Sequence, residues 1–223
     1  MTSVQSKPPI RVLLVDDHQV VREGLRLILE NHPGFEILGQ ASNGQLAVEW
    51  TVRLHPDVVV MDIAMPELNG IEATRRIRTS CPQTQVLILS MHETSELMHQ
   101  AMKAGALGYM LKGAGSEELV LAIQTIHAGR RFLGSHIAET IAADSLDPAS
   151  SPHGSSPLEL LSTREQEVLQ RVVEGQSSQQ IANQMHLSIK TVETYRSRLM
   201  HKLNIHDIPT LVKFAIKHGL TQP

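Results

Sequence analysis

Residues 13–25 read LLVDDHQVVREGL, and the order of residue types in that stretch sets the architecture. An unbroken apolar run ends in Asp16 and Asp17, after which apolar positions recur at helical spacing through residues 20–30. A buried strand that hands over to an amphipathic helix is one βα unit. The unit repeats along the chain: FEILGQA precedes a helical pattern over 45–53, DVVVMD one over 71–79, QVLILS one over 97–104, and LGYML one over 117–128. Five such units predict a doubly wound, five-stranded parallel sheet with helices on both faces.

At 223 residues, 41% hydrophobic and 19% charged, the chain has material for two small domains with real cores, which excludes disordered and collagen-like classes. Cys81 is the single cysteine, so neither a disulfide framework nor a cysteine zinc site can form, and a reducing compartment fits. Apolar runs are only strand-length, and the opening MTSVQSKPPI lacks a signal-peptide pattern. The expectation is a cytoplasmic protein with no membrane partner. Residues 1–157 hold 12 Lys+Arg against 17 Asp+Glu, whereas residues 158–223 hold 8 against 6, which points to two domains with different partners. Between them SLDPASSPHGSSP, residues 145–157, suits neither helix nor strand and reads as a linker of up to roughly 40 Å at about 3.3 Å per residue. The expected division is a first domain over 8–130, a linker over 131–157 with room for a short helix, and a second domain over 158–223.

Ligands of open α/β sheets bind at the carboxyl ends of the strands. There the chain places Asp16 and Asp17 after the first strand, Asp62 after the third, Ser90 after the fourth and Lys112 after the fifth. One such aspartate alone is better read as a turn former or helix cap; five polar groups at four strand ends are not. Three carboxylates that close repel unless a cation joins them, and a hard oxygen set of this kind suits Mg²⁺ with a phosphate co-ligand. A glycine-rich phosphate loop is missing, so nucleotide binding is disfavoured.

LLVDDHQVVREGL, VVMDIAMPELNGIEATRRIR, LILSMH and AGALGYMLK together resemble the receiver domain of two-component response regulators, a flavodoxin-like fold, at matching spacing over residues 10–128. The resemblance implies that Asp62 is the phosphoacceptor and that Asp16, Asp17 and Asp62 hold Mg²⁺ with the backbone carbonyl of Ala64. It also implies that Lys112 pairs with the phosphoryl group and that Ser90 and Tyr109 form a switch pair. Met91 and Ala64 depart from common receiver residues and flank the path of water to that group.

After the linker the texture is helical only, over residues 163–174, 178–185, 188–202 and 209–218, with Ser162-Thr163 and Gln166 as a possible capping box. Two short helices around the turn MHLS make a helix-turn-helix. Lys190, Arg196, Arg198 and Lys202 against Glu193 give residues 187–202 a net charge of +3, while the rest of the second domain nets −1. Cations on an exposed helix are often mere solvation, but in this context they suit the phosphates of duplex DNA. This segment is similar to the LuxR-type output domain of the NarL/FixJ subfamily. That likeness implies Glu193, Thr194 and Ser197 as base readers, with Lys190, Thr191, Tyr195, Arg196, Arg198 and Lys202 as backbone contacts. Leu211, Val212, Ala215 and Ile216 of the last helix suit either the core or a dimer face, and the likeness implies the dimer face.

The resulting expectation is a regulator of transcription and not an enzyme, which takes a phosphoryl group on Asp62 from a sensor histidine kinase and acts on double-stranded DNA as a homodimer. One alternative is a constitutive DNA-binding protein with a non-switching receiver. Another is an aspartyl-phosphate phosphatase, which Ala64 disfavours because such enzymes need an acid two residues after the nucleophile. The 12 histidines are scattered, without metalloprotease spacing.

Overall fold

The computed structural model describes residues 8–146, 157–218 and 220–221. The strands β1 (Ile10–Val15), β2 (Phe35–Ala41), β3 (Val58–Asp62), β4 (Gln85–Ser90), β5 (Gly108–Leu111) and β6 (Phe132–Leu133) form one sheet in the order β2-β1-β3-β4-β5-β6. All pairings are parallel. Alternate residues serve opposite faces, as the pleat requires. Val12, Leu14, Val58, Val60, Leu87 and Leu89 pack under α1 (Gln19–Glu30) and α5 (Ser116–His127). Leu13, Val15, Val59, Met61, Val86 and Ile88 pack under α2 (Gly44–Leu54), α3 (Gly70–Ser80) and α4 (Ser95–Lys103). Both sets are fully buried, which is why these strands read as unbroken apolar runs.

Six strands stand where five were expected. Phe132 and Leu133 pair with Gly108 and Tyr109 of β5, and α6 (Ser135–Leu146) follows, burying Ile137 in the core beneath α4. Residues 131–146, expected as linker with a possible short helix, hold β6 and α6, because Phe132 and Ile137 carry apolar surface that the sheet can cover. Residues 147–156 of the expected linker lie outside the described residues.

The loop after β3 is shaped by one glycine. A methyl group on Gly70 would stand 1.9 Å from the Asp62 carbonyl oxygen, so only glycine lets α3 start so close to the end of β3. Asn69 caps that helix by accepting the Glu72 N–H at 3.0 Å.

The second domain opens with a 3₁₀ turn (Pro157–Leu160), followed by α7 (Thr163–Val173), α8 (Ser178–Met185), α9 (Ile189–Leu203) and α10 (Ile208–Lys217). Val168, Leu169, Ile181, Val192, Leu199, Leu211 and Ala215 form its core. The capping box of α7 is Ser162 with Glu165, one residue before the expected Thr163 and Gln166. Gln166 instead donates its amide to the carbonyls of Leu158 and Leu161, at 2.9 and 3.3 Å. Helix α8 ends on His186 in the left-handed conformation (φ 55°), and Ser188 caps α9 by accepting the Thr191 N–H at 3.1 Å. These two caps set the tight turn of a helix-turn-helix. Among the described residues no helix is long and apolar enough to cross a membrane.

Candidate functional site

The strand order brings the expected acidic residues to one rim. Lys112, just past β5, sets its Nζ 2.7 Å from Asp16 Oδ2 and 2.9 Å from Asp62 Oδ2. The other oxygen of Asp62 accepts the Ile63 N–H at 2.8 Å, and that of Asp16 accepts the His18 N–H at 2.9 Å. Asp16 and Asp62 are buried and Asp17 is half-buried beside them. Burial pushes the Asp62 carboxyl up to about 6, a rise that Lys112 opposes and the charges of Asp16 and Asp17 reinforce. On Lys112, burial works against the ammonium, but Asp62 and Asp16 outweigh it and hold its pKa above the usual lysine value. Asp16 and Asp62 share one lysine and Asp17 lies beside them, an oxygen-rich and charge-deficient set that fits a hard divalent cation. Ala64 lies half-buried in the loop two residues past Asp62.

Ser90 and Tyr109 meet through the backbone of His92. Ser90 Oγ accepts the His92 N–H at 2.9 Å, and the Tyr109 hydroxyl donates to the His92 carbonyl at 3.1 Å. Tyr109 is turned fully into the core, and burial pushes its phenol up to about 12, slightly offset by a hydrogen bond with Ser90. Met91 between them is 71% exposed.

Two neighbours of this pocket escaped the sequence reading. His18 Nδ1 lies 2.8 Å from Asp17 Oδ1, and with Asp16 and Asp17 it could offer ligand atoms to one ion. Arg22 donates to the Asp16 carbonyl at 2.6 Å. Their signal was position alone: both follow the aspartate pair within a few residues, at the start of α1.

On α9 the candidate residues divide by environment. Lys190, Glu193, Thr194, Ser197 and Arg198 are exposed, and at spacings of four, three and four Lys190, Thr194, Ser197 and His201 share one stripe, to which the sequence reading did not assign His201. Among the described residues Lys190 and Arg198 have no acidic partner. The others carry structural duties as well. Thr191 shares a 2.8 Å hydrogen bond with Ser188, and Tyr195 packs against the core. Arg196 donates to Ser178 Oγ at 2.7 Å, and the same hydroxyl is bonded to Glu193, tying α8 to α9. Lys202 sits 2.6 Å from Glu165, the buried acid of the α7 capping box. Burial alone would raise Glu165, yet Lys202 and Ser162 hold it below the usual glutamate value.

The family model of the response regulator receiver domain matches residues 12–124, and that of the luxR family of bacterial regulatory proteins matches residues 159–215. Response regulator UvrY of Escherichia coli (strain K12) is 42% identical over 211 residues, 95% of each chain. Response regulator GacA of Pseudomonas aeruginosa is 39% identical over 211 residues, 95% of this chain and 97% of its own. The crystal structure of ChrA, a response regulator of a heme-sensing two-component system, is 34% identical, covers 95% of this chain and 98% of its own, and superposes with a TM-score of 0.54. The chain belongs to the two-component response regulators of NarL/FixJ type, pairing a receiver with a LuxR-type helix-turn-helix domain for phosphorylation-dependent control of transcription.

Proposed function

We propose that Asp62 takes the phosphoryl group from a sensor histidine kinase and that the phosphorylated chain binds duplex DNA as a dimer through α9. The observation that carries this reading is the Lys112 ammonium between Asp16 and Asp62, at 2.7 and 2.9 Å. The Asp62 carboxylate oxygen attacks phosphorus, the P–N bond of the phosphohistidine breaks, and the leaving imidazole nitrogen takes up a proton. Lys112 meets the equatorial oxygens of the transferring group, where its charge counts most in a loose transition state. Asp16, Asp17, Asp62 and the Ala64 carbonyl would hold Mg²⁺, which when bound supplies charge neutralisation at those oxygens. Ser90 answers the new negative charge with its hydroxyl, letting go of the His92 N–H, while Tyr109 already fills the core beside it.

On α1, Val20 is 84% and Leu27 55% exposed, an apolar face beside the pocket that suits a kinase helix. The protein acts in the cytoplasm, where Cys81 stays a thiol. The first domain runs to residue 146 and the second from residue 157.

Two routes could keep the unphosphorylated chain inactive: a covered recognition helix or a monomeric state. Exposure of Lys190, Thr194, Ser197 and Arg198 while the two domains touch favours the second. The phosphoryl group must then bias dimerisation by about 5.5 kcal/mol to take the population from mostly off to mostly on. Mobility shifts on duplex DNA with and without acetyl phosphate test this. Binding should appear at lower protein concentration after phosphorylation, and equal binding in both states removes the switch.

On mixed-sequence duplex, Lys190→Ala with Arg198→Ala is expected to weaken binding and to lower the slope of log K against log salt by about 0.9 for each DNA phosphate no longer neutralised. An unchanged slope, from fluorescence anisotropy across a salt series, would take these two side chains off the DNA backbone.

A further inference from the structure

Residues 63–69, which link β3 to α3 and contain the carbonyl assigned to the metal, are held by the other domain. Gln170 Nε2 of α7 donates to the Met65 carbonyl at 3.4 Å, and Arg171 Nη1 donates to the Glu67 carbonyl at 3.3 Å. The Glu67 N–H in turn donates to Glu174 Oε1 at 3.1 Å, and Gln170 steadies that carboxylate at 2.8 Å. Arg76 of α3 pairs with Glu167 one turn earlier on α7. Gln170 is buried in this contact. Each main-chain bond is long, but together they claim both backbone groups of Glu67, whose φ of 65° is a conformation that a glutamate adopts only when its surroundings impose it. A domain contact made of side chains alone would leave the loop backbone free; this one engages peptide groups within three residues of the metal site.

We infer that docking of α7 and binding of the divalent cation are coupled through this loop and oppose one another. The inference rests on the metal assignment above. Gln170 claims the Met65 carbonyl, and the cation claims the neighbouring carbonyl of Ala64, so both demands fall on one short segment whose peptide units turn together. Linkage then works in both directions: whatever loads the acidic pocket loosens the grip of α7, and whatever frees α7 improves the pocket. Gln170, Arg171 and Glu174 act as positioning residues for a site that none of them touches. The output domain, on this account, senses the state of the receiver through its metal loop as well as through Ser90 and Tyr109.

The test is calorimetric Mg²⁺ titration of the full-length chain as wild type, as Gln170→Ala with Glu174→Ala, and as Glu174→Gln. The double variant is expected to bind Mg²⁺ at least about fivefold more tightly, the lower bound of ordinary coupling between sites. Simple loss of a nearby acid predicts the opposite sign, so tightening is diagnostic. Glu174→Gln keeps an oxygen acceptor for the Glu67 N–H and should stay near wild type. Gln170→Ala alone, which changes no charge, offers a second route should the double variant fail to fold, with a smaller shift of the same sign. Equal or weaker Mg²⁺ binding in the folded variants overturns the coupling. A chain with the expected Mg²⁺ shifts that takes no phosphoryl group from acetyl phosphate would overturn the phosphoacceptor reading and leave the coupling standing. If Mg²⁺ binds to no form of the chain, both fall.

Discussion

Asp62→Asn is expected to abolish phosphoryl uptake and, in the metal-free chain, to raise the unfolding free energy at pH 7.5 by about 2–3 kcal/mol. The first effect follows from chemistry: a carboxamide has no anionic oxygen to attack phosphorus, and no other carboxylate of the pocket occupies the end of β3. Intact-protein mass spectrometry after acetyl phosphate and Mg²⁺ reads it directly, and a phosphoryl increment on the variant would move the nucleophile elsewhere. The second effect follows from the carboxyl's raised pKa. Moving a carboxyl from 3.8 to about 6 on folding costs about 3 kcal/mol once the pH lies above both values, at about 1.4 kcal/mol per unit. The folded chain binds the Asp62 proton more tightly than the unfolded chain does. This site therefore contributes added stability as pH falls from about 6 toward 4, and the cost is present in full above that window. Urea unfolding at pH 7.5 and pH 5 should show the gap between variant and wild type closing at the lower pH. A constant gap would place the source of instability in some other group.

Lys112→Met is expected to lower stability by about 3–5 kcal/mol and to slow phosphorylation by about a hundredfold or more. Removing one partner of a buried ion cluster leaves the others uncompensated. Here Asp16 and Asp62 would face one another in the core without the ammonium that now lies within 2.9 Å of each. The rate effect is what loss of one preorganised charge at a reacting oxygen ordinarily brings. Urea unfolding with and without Mg²⁺ separates the two, because a cation in the pocket should return part of the lost stability while the phosphorylation rate stays low. A folded variant with wild-type phosphorylation kinetics would remove Lys112 from the reacting group.

The receiver was legible because its chemistry and its topology leave the same trace. Strands buried on both faces must be apolar throughout, so the first polar residue after each run marks a strand end, and Asp16, Asp62 and Ser90 are those residues. Strand β6 left no such trace, since two residues are too few for any periodicity. Helix α6 lay in the span expected as linker, next to the Ser- and Pro-rich residues 145–157, and only the sheet edge beside it explains why Ile137 is buried. On α9 the net charge could be read from composition, but its distribution could not. Lys202 and Lys190 look alike in a string of letters and both are exposed, yet one is tied to Glu165 and the other has no acidic partner among the described residues. The contact between α7 and residues 65–67 joins positions about a hundred apart and could come only from the fold.

The two halves of the chain also differ in how far apart their contacting residues lie. Helices α7 to α10 pack chiefly on one another within a stretch of about sixty residues, whereas β1 must find both Phe35 and Val58 before the sheet exists. Chains rich in local contacts fold in microseconds to milliseconds, and mixed α/β domains take longer. Trp50, the only tryptophan, lies in α2 and reports the slow half. Stopped-flow refolding should therefore show a far-ultraviolet helical phase ahead of the Trp50 signal; a single shared rate would mean the halves fold as one. With separate rates, each refolding molecule passes through a moment when its DNA-binding half is finished and its receiver is not. Gene control by this chain then begins its life unsupervised.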